Sequence, residues 1–398
     1  MATLGLFDDL QRTDRSPARE TEGRFAFLNR IAGPVFDRIR ALLEDWLAAY
    51  PDNGKVDMRN RLRSADDRTF IGAFWELHQA EALRRAGFRL TFHPDLPGTD
   101  RHPDFLAEGP DESFYLETTI ASMSDLDRAA RRRRGAILDA VNDILSPDFF
   151  LGVEVDTEGP RDPSTKRLRR DLTSWMEVLD PDALLAIGDL ETIRAHHSMA
   201  WQQDGWSLSF YPIPKSPAHR GKPGRAIGVY PAEGGWIDTR GPLRRAIREK
   251  AGRYGQLDRP FVVAVLVESA FIDDKDLLNA LFGGIAVSVP VSREGPGEPR
   301  AFRLRDGSWM TGQGPTRTRV SAVVTAINLA PWSIVRIAPR TWLNPWATRP
   351  VTSDLGWETT ITDPTAGAIA HRPAMRMPAE LFGLPETWPG PEEPFPDE

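Results

Sequence analysis

Residues 102–106 read HPDFL, and after a short polar turn residues 114–120 read FYLETTI. Both segments are apolar, and a Gly-Pro-Asp turn lies between them, so we predict two neighbouring strands. Asp104 and Glu117 then place carboxylates on paired strands, where acids can hold a divalent metal ion against a phosphate. Because side chains alternate along a strand, Thr119 is expected to share a face with Glu117.

The flanking sequence predicts one helix before these strands, and a helix and a buried strand after them. Residues 67–86 have a helical pattern, with Glu76 on a face of small residues that would let the helix lie close to a sheet. A second helix is predicted over residues 242–255, with Lys250 on a face that it shares with apolar side chains. Residues 261–267 form a continuous apolar run, which is typical of a strand buried on both faces.

The order of these features resembles the PD-(D/E)XK nuclease superfamily, which has the restriction-endonuclease-like fold. A helix with a glutamate, a Pro-Asp strand and a hydrophobic-Glu-x strand follow one another over residues 70–120, and the resembling core would continue to about residue 267. The resemblance implies that Asp104 and Glu117 bind a metal and that Glu76 assists from the helix. Carboxylate oxygens suit Mg²⁺ or Mn²⁺. The resemblance implies hydrolysis of phosphodiester bonds, in DNA or alternatively in RNA, and it fits a role in bacterial defence.

One position departs from that pattern, because Thr119 stands where the superfamily has a lysine. Two explanations remain open: the site is inactive, or the lysine comes from a neighbouring helix, as in some members of the superfamily. The candidate for a relocated lysine is Lys250, which lies between Ile247 and Tyr254 on one predicted helical face. The alternative for Lys250 is a side chain that extends from the helix edge into water.

The residues leave several functions open. The leading hypothesis is a divalent-metal-dependent endonuclease acting on DNA, in which Thr119 orients the attacking water. The alternative is a noncatalytic protein of the same fold that binds nucleic acid or a protein partner through a decayed site. A third hypothesis is a small-molecule enzyme on an unrelated α/β sheet. Residues 280–283 and 344–347 are similar to segments of uncharacterised bacterial proteins with a nuclease-like core, but this similarity assigns no function.

Composition narrows the class of protein. The 398-residue chain contains no cysteine and carries a formal net charge of −7. The lack of cysteine excludes disulfides, thiolate catalysis and cysteine zinc sites, and it fits a reducing cytoplasm. No apolar run is long enough to span a bilayer and no secretory signal pattern is present, so we predict a cytoplasmic protein without a membrane partner. An acidic total does not favour nonspecific nucleic-acid binding, although local basic patches matter more than the total.

Patterning divides the chain into segments of different character. We predict an N-terminal helical arm over residues 1–60 and a nuclease-like α/β core over residues 61–270. The core is predicted to be a mixed sheet flanked by helices. It carries a large insertion at about residues 123–240, which is expected to serve substrate recognition or contact with a protein partner in a defence system. A C-terminal extension is predicted over residues 271–384, and a disordered tail rich in proline and glutamate over residues 385–398.

Two basic segments are candidates for contact with nucleic acid. The first comprises Arg128 and residues 131–134, which on a helix spread around the circumference, so we favour a solvated helix surface over phosphate contact. The second, with Lys215 and Arg220, lies in a loop rich in proline and glycine. It is either a DNA-contacting element or an ordinary loop.

Overall fold

The computed structural model describes residues 5–96, 98–121, 125–222, 225–231, 240–269, 272–288, 291–292, 295–296, 300–362 and 369–391. Among these residues, no helix has both the length and the apolar character needed to cross a membrane. The chain forms two compact units. The first comprises Met1–Arg12, Arg24–Met123 and Ile237–Glu392, and the second comprises Thr13–Gly23, Ser124–Trp236 and Glu393–Glu398.

The helices of the described chain are numbered in chain order. They are α1 (Arg24–Arg30), α2 (Pro34–Ala49), α3 (Lys55–Leu62), α4 (Asp67–Arg85), α5 (Asp125–Asn142), α6 (Thr165–Met176), α7 (Pro181–Ile187), α8 (Leu190–His197), α9 (Gly241–Ala251), α10 (Asp274–Phe282) and α11 (Pro378–Phe382). A 3₁₀ helix covers Pro217–His219.

The strands are numbered in the same way. They are β1 (Arg89–Phe92), β2 (Phe105–Glu108), β3 (Ser113–Ala121), β4 (Phe149–Thr157), β5 (Met199–Gln203), β6 (Trp206–Pro214), β7 (Ile227–Val229), β8 (Phe261–Val267), β9 (Ile285–Ser288), β10 (Val291–Ser292), β11 (Gly295–Pro296), β12 (Arg300–Arg303), β13 (Met310–Thr311), β14 (Gly314–Pro315), β15 (Ala322–Ile327), β16 (Arg340–Leu343), β17 (Glu358–Thr362) and β18 (Ile369–Arg372).

The first unit is built on an eight-stranded sheet with the order β1-β2-β3-β8-β15-β16-β17-β18. Strands β1, β2 and β3 run antiparallel, whereas β3, β8 and β15 are parallel, so the sheet is mixed. Every residue of β8 is buried, because the strand lies inside the sheet with side chains packed on both faces. The prediction of a mixed sheet flanked by helices, with a doubly buried strand at residues 261–267, is confirmed.

Two apolar cores cover the two faces of this sheet. On one face, Phe70 and Phe74 of α4 pack in a cluster with Leu116 of β3 and Val262 of β8. On the other face, Ile247 of α9 belongs to a cluster that contains the alternate residues of the same strands. Helices α4 and α9 therefore approach β3 from opposite sides, as strand alternation requires.

The second unit has its own sheet and core. Its sheet has the order β5-β6-β4-β7, and helices α5 and α6 contribute to its apolar cluster. Within the first basic segment, Arg134 forms an ion pair with Glu158 at 2.9 Å. Lys215 of the second segment is buried, and its ammonium group donates to the carbonyl oxygen of Ser146 at 2.9 Å. Lys215 therefore stabilises its own unit and is not available to contact DNA.

The structure of the two ends of the chain differs from the predicted N-terminal arm, C-terminal extension and disordered tail. Ile39 of α2 is fully buried in the first core, so this segment is part of the unit. Residues 271–384 supply β15–β18 to the large sheet, because β15 pairs with β8 along its whole length. Trp388 is buried in the first core, and its indole N–H donates to the carbonyl oxygen of Pro331 at 3.0 Å. The predicted disorder is therefore wrong for residues 385–391, and residues 392–398 lie outside the described chain.

Candidate active site

The predicted site residues lie where β3 extends past the start of β2. Strand β2 pairs only with residues 113–116 of β3, whereas β8 pairs with residues 115–121. The far end of β3 is therefore left open on the side where β2 would lie, and a cleft of about 320 Å³ forms there. Its lining includes four of the predicted residues, Glu76, Asp104, Thr119 and Lys250.

Asp104 immediately precedes β2 and is fixed by the open backbone of β3. Its Oδ2 accepts hydrogen bonds from the backbone N–H of Thr118 at 2.7 Å and from the Thr118 hydroxyl at 2.6 Å. The backbone N–H of His93 donates to the Asp104 carbonyl oxygen at 3.1 Å, which anchors the main chain. Both side-chain bonds use Oδ2, so the other carboxylate oxygen is not engaged by them.

Glu117 is 1% exposed and receives its hydrogen bonds from α9 and the turn that follows it. Its Oε1 accepts from the Lys250 ammonium at 2.5 Å and from the Arg253 guanidinium at 3.2 Å. Its Oε2 accepts from the Tyr254 hydroxyl at 2.6 Å. Charged donors make hydrogen bonds that are shorter and stronger than neutral ones, so Lys250 holds the Glu117 carboxylate firmly.

Glu76 reaches the cleft from α4 and is bound in a similar way. It is 3% exposed, and its carboxylate accepts from both terminal nitrogens of Arg61, at 2.8 and 2.9 Å. The Tyr50 hydroxyl donates to the same carboxylate at 2.5 Å. Arg61 is also paired with Asp57 at 2.8 Å, so its charge is shared between two acids. A bidentate arginine and a tyrosine together fix the orientation of Glu76.

The charges in the cleft influence one another. Burial raises the pKa of Glu117, the negative charge of Asp104 raises it further, and Lys250 opposes both effects. Burial likewise raises the pKa of Glu76, with a further contribution from Asp104 and opposition from Arg61. Asp104 thus lies near enough to both glutamates for repulsion between like charges to be felt. An additional positive charge beside Asp104 would relieve that repulsion.

Thr119 contributes to the lining, but the bond to Asp104 comes from the neighbouring residue Thr118. In the part of the chain that the structure describes, the Thr119 hydroxyl has no hydrogen-bond partner. The Lys250 ammonium of α9 contacts Glu117, which lies two residues from Thr119 on the same strand face.

The candidate ligands for a divalent cation are the carboxylates of Asp104, Glu117 and Glu76. Across the described residues, no group of three or more histidine, aspartate or glutamate side chains has an arrangement that could hold a metal ion. Mg²⁺, however, is usually bound through one or two carboxylates, with waters and substrate phosphate completing the shell. Asp104 has one carboxylate oxygen outside its bonds to Thr118, whereas both oxygens of Glu117 accept hydrogen bonds, from Lys250 and Arg253 on one side and from Tyr254 on the other. Glu76 is held by Arg61 and Tyr50, which makes it a supporting residue.

Sequence reasoning did not identify several residues that hold the acids. Arg61 lies on α3, a short helix with a largely polar sequence, and Tyr50 follows the end of α2. Strand alternation places Thr119 on the face of Glu117, so the sequence gives no signal for Thr118, which donates to Asp104. The spacing of four residues between Lys250 and Tyr254 predicted a shared helical face. Helix α9 ends at Ala251, so Tyr254 lies in the turn after the helix, and both side chains contact Glu117.

Comparisons with known proteins add nothing to this geometry. A scan against protein-family models, a search of curated proteins and a search of solved structures each found no match. Membership of the PD-(D/E)XK superfamily therefore stays a prediction from the residues.

Proposed function

We propose that this chain is a divalent-metal-dependent endonuclease that hydrolyses phosphodiester bonds in DNA. One observation carries the proposal: the Lys250 ammonium lies 2.5 Å from Glu117 and lines the same cleft as Asp104. A lysine that contacts one acid and lines a cleft with another provides the charges that phosphodiester hydrolysis needs, although position 119 is a threonine. The restriction-endonuclease-like fold and a role in bacterial defence belong to the same proposal, through the resemblance described above.

The residues of the cleft have separate roles in this proposal. Asp104 and Glu117 would hold Mg²⁺ or Mn²⁺, and Glu76 would support them from α4. When bound, the metal lowers the pKa of a water molecule and neutralises charge on the phosphate. Lys250 would stabilise the negative charge that develops on the reacting phosphate. The Thr119 hydroxyl, which has no partner in the described part of the chain, accepts or donates a hydrogen bond to position the attacking water.

A second function is favoured by the bonds that the acids already make. Each carboxylate is engaged by a donor of the protein itself, Glu117 by Lys250 and Glu76 by Arg61. A site in which acids and bases neutralise each other can also be a stable remnant. The second candidate is therefore a noncatalytic protein that binds nucleic acid or a protein partner through this cleft.

The deciding experiment measures cleavage and metal binding together. Purified protein is incubated with plasmid DNA, and separately with RNA, in the presence of Mg²⁺ or Mn²⁺. We expect Asp104→Asn and Glu117→Gln to abolish cleavage and to weaken metal binding measured by calorimetry, because each replaces a charged ligand by a neutral one of the same shape. Asp111→Asn, in the exposed turn between β2 and β3, is the matched control and should remain active.

The outcomes separate the two candidates. Metal-dependent cleavage of RNA without cleavage of DNA would correct the substrate and keep the reaction. If the wild-type protein cleaves neither substrate and binds neither metal, the nuclease proposal fails. Binding of nucleic acid under those conditions would then support the noncatalytic candidate.

A further inference from the structure

The cleft continues along α4 away from the acids. Arg68, Gly72 and Glu76 follow one another at intervals of four residues, so they form one stripe along the helix, and all three line the cleft. At Gly72 the helix passes close to β3, since a Cβ atom there would lie 3.3 Å from the side chain of Ile120. The stripe therefore lines the cleft from Arg68 at one end to the carboxylates of Glu76 and Asp104 at the other.

The positive charges in the lining differ in whether an acid already neutralises them. Arg61 is paired with Glu76, and Lys250 is paired with Glu117. The Arg68 side chain is exposed and has no hydrogen bond or ion pair with any described residue. Arg68 is thus the cation of this lining that remains free to bind an external anion.

The position of Arg68 is not explained by helix stability. It is the second residue of α4, and the dipole of a helix disfavours a positive charge in its first turn. Asp66 and Asp67, at the cap and the first position, already provide the favourable negative charge there. Arg68 thus adds to the cleft a positive charge that the helix itself does not need.

We propose that Arg68 binds a backbone phosphate of the nucleic-acid substrate at a distance from the scissile phosphate. This proposal rests on the proposed nuclease function. The two ends of the stripe, Arg68 and Glu76, are eight residues apart, which is about 12 Å along a helix axis. A stacked strand advances about 3.4 Å per nucleotide, so the contact falls about three to four nucleotides from the reacting bond. The planar guanidinium of arginine can donate two hydrogen bonds to two oxygens of one phosphate, which favours a phosphate as its ligand.

The contact is tested by binding, so that cleavage is not needed. Dissociation constants for a fluorescein-labelled DNA are measured by anisotropy at several salt concentrations, in an Asp104→Asn background that blocks hydrolysis. We expect Arg68→Ala to raise the dissociation constant about 10-fold, the effect of losing one charged hydrogen bond. The slope of log Kd against log salt concentration should fall by about 0.9 for duplex DNA, because one phosphate contact is lost.

Arg372→Ala is the matched control. Arg372 is also an exposed arginine without a partner among the described residues, and it lies on β18. That strand is five strand spacings from β3, or about 24 Å. The control should leave the affinity and the salt slope unchanged, and Arg68→Lys should retain part of the affinity because the charge is kept.

A chemical probe locates the phosphate. A single neutral methylphosphonate is moved along the DNA, and one position should weaken binding of the protein with Arg68 but not of the Arg68→Ala variant. Equal affinity and salt slope with and without Arg68, or an equal loss in Arg372→Ala, would overturn the proposal. So would a protein that binds no nucleic acid. A protein that binds DNA through Arg68 without cleaving it would leave this contact standing while the nuclease proposal fails.

Discussion

At position 119 a threonine stands where the resemblance calls for a lysine, and a lysine from another element contacts the acid instead. The Lys250 ammonium lies 2.5 Å from Glu117, and Arg253 adds a second cation at 3.2 Å. A positive charge at this location can come from β3 or from α9, because both face the same space beside Glu117. The proposed phosphodiester hydrolysis requires a positive charge at this position, and either residue can supply it.

Substitution of Lys250 tests whether α9 supplies the positive charge that the resemblance expects from β3. We expect Lys250→Ala to lower the cleavage rate by about 100- to 1,000-fold, since a charge that stabilises the transition state is lost. A second substitution, Thr119→Lys, should recover part of the rate in that variant by restoring the charge from β3. The measurement is the single-turnover rate on a labelled DNA with Mg²⁺.

Arg245→Ala, an exposed arginine on α9, is the control for loss of a positive charge from the same helix. If Lys250→Ala cleaves as fast as the wild-type protein, the proposal that Lys250 supplies the positive charge is refuted. A double variant without any recovery would show that the backbone of β3 cannot deliver the ammonium group to the required place.

His78 of α4 is a second residue whose surroundings decide its behaviour. It is fully buried, and its ring stacks between Trp75 and Trp357 at centroid distances of 5.5 and 5.8 Å. Burial lowers the pKa of His78 to about 3, because the charged imidazolium would lose its hydration. The residue is therefore neutral in the folded protein at any pH where the fold is used.

This burial predicts a pH-dependent stability. In the unfolded chain His78 titrates near 6.5, so below that pH the unfolded state binds a proton that the folded state does not. The contribution is fully present above pH 6.5 and is lost as the pH falls towards 3. Between pH 7.5 and pH 5, the free energy of unfolding of the wild-type protein should fall by about 2 kcal/mol more than that of His78→Phe.

Urea unfolding followed by tryptophan fluorescence measures this difference. Because both proteins share all other titrating groups, the subtraction isolates His78. An identical pH dependence in the two proteins would contradict a neutral, buried imidazole.

At the scale of elements, the site depends on an offset between strands. Strand β3 has nine residues and β2 has four, so among the described residues no strand lies beside the end of β3 on the β2 side. That offset opens the backbone N–H of Thr118 to Asp104 and leaves room for a cleft. Hydrophobic patterning predicts that both strands exist, but the register between them depends on a turn of irregular sequence.

The helices likewise differ in how far the sequence predicts them. The amphipathic pattern of α9 correctly predicts that Lys250 shares a face with buried residues. Helix α3, which carries Arg61, went unpredicted, because only Met58 and Leu62 of its eight residues are buried and no apolar stripe is visible. Helix α4 is buried on nearly all sides, since α2, α3 and α11 cover the faces that do not meet the sheet.

At the scale of the whole molecule, the large mixed sheet does not end where the resemblance ends. Strand β8 needs β15 as its second parallel partner, and β15 lies in the region that the sequence suggested was an extension. A chain that stops after residue 270 would expose one side of β8, whose residues are all buried in the intact protein. We expect such a truncated chain to lack a cooperative unfolding transition.

Circular dichroism during thermal unfolding and size-exclusion chromatography test this expectation. The matched sample is the full chain with Trp388→Phe, which keeps every strand and replaces one buried ring by a smaller one. That sample should still unfold cooperatively, at a lower temperature. A soluble, cooperatively folding chain of residues 1–270 would show that the C-terminal strands are accessory.

The sequence by itself determined the local structure: which residues form β3, β8, α4 and α9, and that the carboxylates of Asp104, Glu117 and Glu76 are carried by or next to these elements. These features depend on periodicity and on residue type, which are properties of short segments. Only the tertiary structure decided that Lys250 reaches Glu117, that Arg61 and Tyr50 hold Glu76, and that residues 271–384 complete the sheet. Those contacts join residues far apart in the chain, and the packing of whole elements against one another sets their distances.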